Sequence, residues 1–358
     1  MPEPLGSGLI DWGLASRLGR RMAGEGESPL DPTQVATTSA DALAKALAYT
    51  TLEPTGPVPP VEIVSRDEWI DSNLAELMKL MTPTEERLAS EVDLPGPFGP
   101  IARKGLGAAA GAEAGAVVGY ASQRVLGQYQ VSLRPEPGDP RMLLVGANLA
   151  EAAGKLGVDA GAFLHWVLIH EQTHSIQFGS VPWLRECLAG LVSELLDAAT
   201  GGIDLGAVIS RAKDLVTPDP RAGFRRILDG ELTRIFASED QAQVMDRMSA
   251  VMAVVEGYAE HVMDAASIAQ PELETMRERM DARRAQRTSL ADTIARFLGL
   301  GAKLRQYELG KRWCDAVVAE AGIAGLDRVW ESPETIPSLA ELDDANAWIK
   351  RVLAPTAA

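Results

Sequence analysis

Apolar residues recur along this chain mostly at helical spacing, and short alternating stretches are confined to one region before its midpoint. A first helical pattern covers Asp11 to Ala23, and a proline-rich connection follows at Leu52 to Pro60. Helices resume over Arg66 to Met81 and Thr84 to Val92, until the Pro95-Gly96-Pro97-Phe98-Gly99-Pro100 segment breaks them. Gly105 to Gly119 is rich in Ala and Gly. It carries Glu113 and lacks the Gly-Lys-Ser/Thr ending of a phosphate loop, so it reads as a closely packed small-residue helix, not a membrane span. Gln128 to Leu133 and Arg141 to Val145 are the two strand candidates, separated by Arg134 to Pro140. Beyond them the pattern is almost wholly helical through Gly322. It includes a run opened by Asp159 and a long helix from about Ser238 to Gln270, which Pro271 stops. The expected fold class is therefore mainly α with a small β element. Residues 1–60 read as an N-terminal arm and residues 61–358 as one helical domain.

The run after Asp159 is apolar from Phe163 to Ile169 and ends in His170-Glu171-Gln172-Thr173-His174, an H-E-x-x-H motif. Two imidazoles four residues apart share one helical face and can bind one zinc ion, while the intervening Glu is placed to act as general base on a water at the metal. Two histidines and a glutamate on an otherwise apolar segment are costly to bury without a partner, and a metal suits all three. The chain has four histidines in all. His165, five residues before His170, falls roughly 140° away around the helix and is expected to lie outside the site.

A catalytic zinc site needs a third protein ligand. The next His is His261, which excludes the H-E-x-x-H-x-x-G-x-x-H form. On the long downstream helix, Glu256 and Glu260 sit one turn apart among Met252, Val255, Ala259 and Val262, so this carboxylate pair also seeks a cation or a histidine. Glu256-Gly257-Tyr258-Ala259 resembles the E-G-x-A segment of gluzincins. That resemblance implies Glu256 as third ligand and Glu260 as the acid that orients a zinc-bound His. Trp183-Leu184-Arg185-Glu186 also looks like a gluzincin W-L-x-E segment, but Cys187 stands where a Gly usually does, which ranks Glu186 second to Glu256 and favours its pairing with Arg185 or solvent.

More broadly, the chain is similar to a family of bacterial zincin-like metallopeptidases. The resemblance runs through Ile10-Asp11-Trp12, Arg20 to Gly24, Ser122 to Tyr129, His170 to Phe178, Val181 to Arg185, Glu256 to Glu260, Lys303 to Glu308 and Val329 to Glu334. It implies a zincin-like fold with its small β element beside the H-E-x-x-H helix, one Zn²⁺ per chain, and a peptide or protein substrate. Members often carry a label for biosynthesis of the deazaflavin redox coenzyme. That label speaks of co-occurrence with a pathway, and no coenzyme role is carried over from it. Tyr258, His261, Arg305 and Tyr307 are the candidate donors to a tetrahedral oxyanion, with structural packing the default for each.

Charge and composition narrow the partners. With 358 residues, 46% of them hydrophobic, and a formal charge of −16, the chain can build a substantial core and disfavours nucleic acid and anionic membrane. The basic run Arg277 to Arg287 is interleaved with acids and reads as a solvated helix face. Cys187 and Cys314 are far apart and fit no disulfide framework, and the first residues show no basic-then-apolar signal, so a cytoplasmic protein is expected. Two alternatives to a peptidase stay open: a catalytically idle zinc-binding scaffold that binds a partner, and a non-peptide amidohydrolase. Glu171 argues against the scaffold, because a structural zinc needs no base.

Overall fold

A computed structural model describes residues 9–91, 99–133, 139–200, 239–268, 273–285 and 307–353. Helix α1 (Trp12–Ala23) begins where the Asp11 carboxylate accepts the Leu14 N–H at 2.7 Å. Helix α2 (Pro32–Tyr49) begins where Asp31 accepts from Thr33 and Gln34, with Pro32 at its first position. The hydropathy pattern marks α1 and misses α2, whose buried stripe is only Val35, Ser39, Ala42 and Ala46 and contrasts weakly with its Thr-rich outer face. The strand β1 (Val61–Val64) is also unmarked, being four residues long directly after the proline-rich connection. Helix α3 (Arg66–Glu91) is continuous where two helices are expected: Pro83 lies inside it, and the Thr82 hydroxyl donates to the Met78 carbonyl beside it.

Helix α4 (Gly99–Ser122) leads into β2 (Gly127–Gln130) and β3 (Arg141–Val145), and the sheet order is β1-β3-β2. β1 runs parallel to β3 with Val61 opposite Met142. β2 runs antiparallel with Gly127 opposite Leu144, and is shorter than the Gln128 to Leu133 run suggests. Helices α5 (Gly146–Leu156), α6 (Ala160–Ser180) and α7 (Pro182–Thr200) follow, then α8 (Glu239–Ala266), α9 (Leu273–Ala285), α10 (Tyr307–Asp327), and the short α11 (Leu339–Asp343) and α12 (Ala345–Val352). The observed class is mainly helical with a small three-stranded sheet. No helix among the described residues is long and apolar enough to cross a membrane.

Two apolar clusters meet at the sheet. Leu144 of β3 enters the larger one, built by α2, α5, α6, α7, α8 and α10, while Leu143 and Val145 enter the smaller one with Trp12, Trp69, Ile70 and Val118. The small-residue helix packs as its composition implies. Gly107, Gly111, Gly115 and Gly119 lie at four-residue spacing against the backbone around Leu9, Asp11, Ala15 and Gly19, where a Cβ would collide with main-chain oxygens. Both α1 and α2 therefore pack into the body of the protein, although they lie within the first sixty residues.

Glu113 of α4 is partly buried, and burial pushes its carboxyl up from 4.5 to about 7. The folded form thus holds the proton more tightly than the unfolded chain, so stability falls as pH rises from about 4.5 to about 7 and levels off above. Glu113→Gln is expected to stabilise by about 1–3 kcal/mol at pH 8 and by nothing below pH ~4.5. Urea unfolding of both proteins at the two pH values checks this, and an equal difference at both would refute it.

Candidate metal centre

Helix α6 is the axis of the larger cluster. Asp159 accepts the Ala162 N–H at its start, and from Phe163 to Gln177 every side chain is buried except His170, which is half-buried. A helix buried on all sides has no polar face to spend, so its polar groups must find partners inside. His165 does so away from the motif, with Nε2 at 2.7 Å from Asp41 Oδ2 and 3.3 Å from Lys45.

His170 and His174 turn towards α8. Their Nε2 atoms lie 3.1 Å apart, and Glu256 Oε2 is 3.6 Å from the first and 3.9 Å from the second. Among the described residues these three form the group of donor atoms within 4.8 Å of one another that could hold a metal ion. Zinc bonds of about 2.0–2.1 Å at tetrahedral angles place neighbouring donors about 3.3 Å apart, close to what this group already shows. Two imidazoles and one carboxylate are a zinc donor set, and the buried Nδ1 of His170 has no hydrogen-bond partner among the described residues. The three side chains retain 16, 11 and 29% exposure, so the group is reached from outside.

Glu171, next along α6, faces β2. The Tyr129 N–H donates to its Oε2 at 3.0 Å, and Oε1 accepts nothing among the described residues. Burial pushes the Glu171 carboxyl up to about 7, and the nearby Glu256 adds to the rise, while His174 and the Tyr129 N–H oppose it. The strand is cut to fit this carboxylate: a Cβ at Gly127 would sit 2.6 Å from Glu171 Cγ and 2.8 Å from Oε1. Alternation explains why Gly127 and Tyr129 both turn this way, since Gln128 and Gln130 bond to Asn73 and Ser72 of α3 on the other face. The Tyr129 ring stacks on Phe178, one turn beyond His174, with centroids 5.8 Å apart, and burial pushes its phenol up to about 12.

The other expected residues are dispersed. Tyr258 and His261 stand two and five residues beyond Glu256, roughly 200° and 140° around α8, and so point away from the centre. Tyr258 is fully buried and donates to Asp327 Oδ1 at 2.6 Å, with Thr50 also bonded to its oxygen. His261 is held between Asp315, at 2.6 Å from Nδ1, and the Tyr49 hydroxyl, at 2.7 Å from Nε2. Glu186 is exposed on α7 and is absent from the metal-binding group, whereas Glu260 is half-buried on α8, one turn after Glu256. Arg305 lies outside the described residues, and Tyr307 opens α10 with its side chain outside them. Gly127, Tyr129 and Gln177 were not singled out from the sequence. All three lie inside the family-like segments Ser122 to Tyr129 and His170 to Phe178, which assign them no role, and the helical spacing of Gln177 from His174 was the further signal for that residue.

A family described as zincin-like metallopeptidase matches residues 10–349. The chain is similar to a solved structure from Chloroflexus aurantiacus, described as a candidate hydrolase with a novel fold, at 27% identity and a TM-score of 0.72; the match covers 97% of this chain and all of that one. Among curated proteins none matches.

Proposed function

Because this chain belongs to the zincin-like metallopeptidase family, we propose that it hydrolyses peptide bonds at one zinc ion held by His170, His174 and Glu256, with Glu171 as general base. The observation that carries the reading is the convergence of both imidazole Nε2 atoms and a Glu256 oxygen beside a buried carboxylate one residue along the same helix. When bound, zinc supplies a Lewis acid that acidifies water and polarises a substrate carbonyl. Glu171 Oε1 takes the proton of the attacking water and passes it to the leaving amine, while Oε2 stays anchored on the Tyr129 N–H. Burial strengthens the hold of the Glu171 carboxylate on a proton, the property a general base needs.

The sheet supplies the substrate's track. The Val145 N–H donates to the Leu126 carbonyl, so in the antiparallel ladder Gly127 and Tyr129 turn their N–H and C=O groups to the outer edge of β2. Their carbonyls can accept from an extended peptide lying between β2 and α6, a recognised mode of peptide binding.

Metal content of protein purified without chelator or metal-affinity tag tests the centre. About one zinc per chain is expected in the parent and in His165→Ala, and almost none in His174→Ala. Full zinc in His174→Ala, or none in the parent after zinc is supplied, would reject the site. The same measurement on Glu256→Ala and Glu186→Ala decides the third ligand, and zinc loss is expected only in the first.

A further inference from the structure

Gln177 is fully buried at the crossing of α6 and α8, with its amide spent at both ends. Its Nε2 lies 3.0 Å from the carbonyl oxygen of Val255, the residue before Glu256, and its Oε1 lies 2.9 Å from His174 Nδ1. The first contact settles the second. A carbonyl can only accept, so the NH₂ end of the amide must face Val255, which turns the acceptor oxygen towards the imidazole. His174 Nδ1 must then carry the proton, and Nε2 presents its lone pair to His170 and Glu256.

We propose that Gln177 is a positioning residue that locks His174 in the Nδ1–H tautomer and ties it to the α8 backbone that carries Glu256, so that two ligands on separate helices are held in register for the metal. This rests on the zinc-centre reading above. The lock is one-sided: His170 Nδ1 is buried with no partner of its own, so among the described residues the tautomer support of the imidazole pair comes from this amide. Partners of this kind typically change metal affinity about 10–100-fold when removed.

The test compares zinc affinity, by competition with a chromophoric chelator, in the parent, Gln177→Leu, Gln177→Glu and Gln172→Leu. Gln172 is a buried glutamine of the same helix that donates to Ser39 instead, so its variant reports the cost of losing a buried amide without touching a ligand. Gln177→Leu is expected to weaken zinc about 10–100-fold, Gln177→Glu to recover part of the loss by keeping an acceptor on Nδ1, and Gln172→Leu to leave affinity within about twofold. In zinc-free parent protein, long-range ¹H–¹⁵N NMR should show His174 protonated at Nδ1. Should Gln177→Leu fail to fold, the Glu variant and the tautomer still decide. Equal affinity in the Gln177 variants and the parent, or an Nε2–H tautomer in the zinc-free parent, would overturn the role. A parent that binds no zinc would overturn the centre itself, and the tautomer reading separates these failures.

Discussion

Glu171→Gln should retain a full complement of zinc and lose about 10²–10⁴-fold in peptide turnover, the range that general acid–base catalysis supplies. The substitution keeps the shape of the side chain, and its amide oxygen can still accept the Tyr129 N–H, so the anchor to β2 survives. What disappears is a basic oxygen. Gln cannot take a proton from water at neutral pH, and no other carboxylate in the described site is free of the metal group, because Glu256 belongs to it. The measurement pairs metal content with cleavage of a peptide mixture, read as new N-termini by mass spectrometry. Turnover within tenfold of the parent would remove Glu171 from the reaction, and coincident loss of zinc would make it structural.

Gly127→Ala should reach a similar end from the opposite side of the contact. The added methyl would lie 2.6 Å from Glu171 Cγ and 2.8 Å from Oε1, inside any normal van der Waals separation. Glu171 is buried and anchored, so either its carboxylate swings away from the attacking position or β2 shifts and takes the Tyr129 N–H with it. A misplacement of about 1 Å costs on the order of 10²-fold in rate, and that is the expected fall in kcat with zinc content unchanged. Gln128→Ala, one residue along but on the α3 face, should leave turnover within a few-fold while losing about 1 kcal/mol from its bonds to Asn73. Parent-like turnover in Gly127→Ala would show that catalysis does not need Glu171 where the strand holds it.

What could be read from the chain follows the range of the forces involved. H-E-x-x-H is a local statement: four residues of α-helix place His170 and His174 on one face whatever surrounds them, and five residues place His165 elsewhere. The same arithmetic set Glu256 and Glu260 on one side of α8. Their marking depended on carboxylates standing among apolar neighbours, which is also a local pattern. Helix α2 and strand β1 escaped because their evidence is tertiary. The stripe of α2 is two alanines, a valine and a serine that become core only when α6 lies across them, and β1 is a strand only because β3 offers it a parallel ladder.

The amino-acid sequence by itself thus determined the helical class, the two histidines and the glutamate between them, because helical periodicity fixes side-chain direction within a few residues. The sequence ranked Glu256 ahead of Glu186 as third donor, and the tertiary structure is what brings Glu256, and not Glu186, beside the two imidazoles. That depends on which helix crosses α6, and the crossing is set by packing between segments some eighty residues apart. It likewise turned Tyr258 towards Asp327 and His261 towards Asp315, and brought Gly127 and Tyr129 to Glu171 and Gln177 to His174. Gly127, Tyr129 and Gln177 lie in segments whose resemblance assigns them no role, and their chemistry arises from contact.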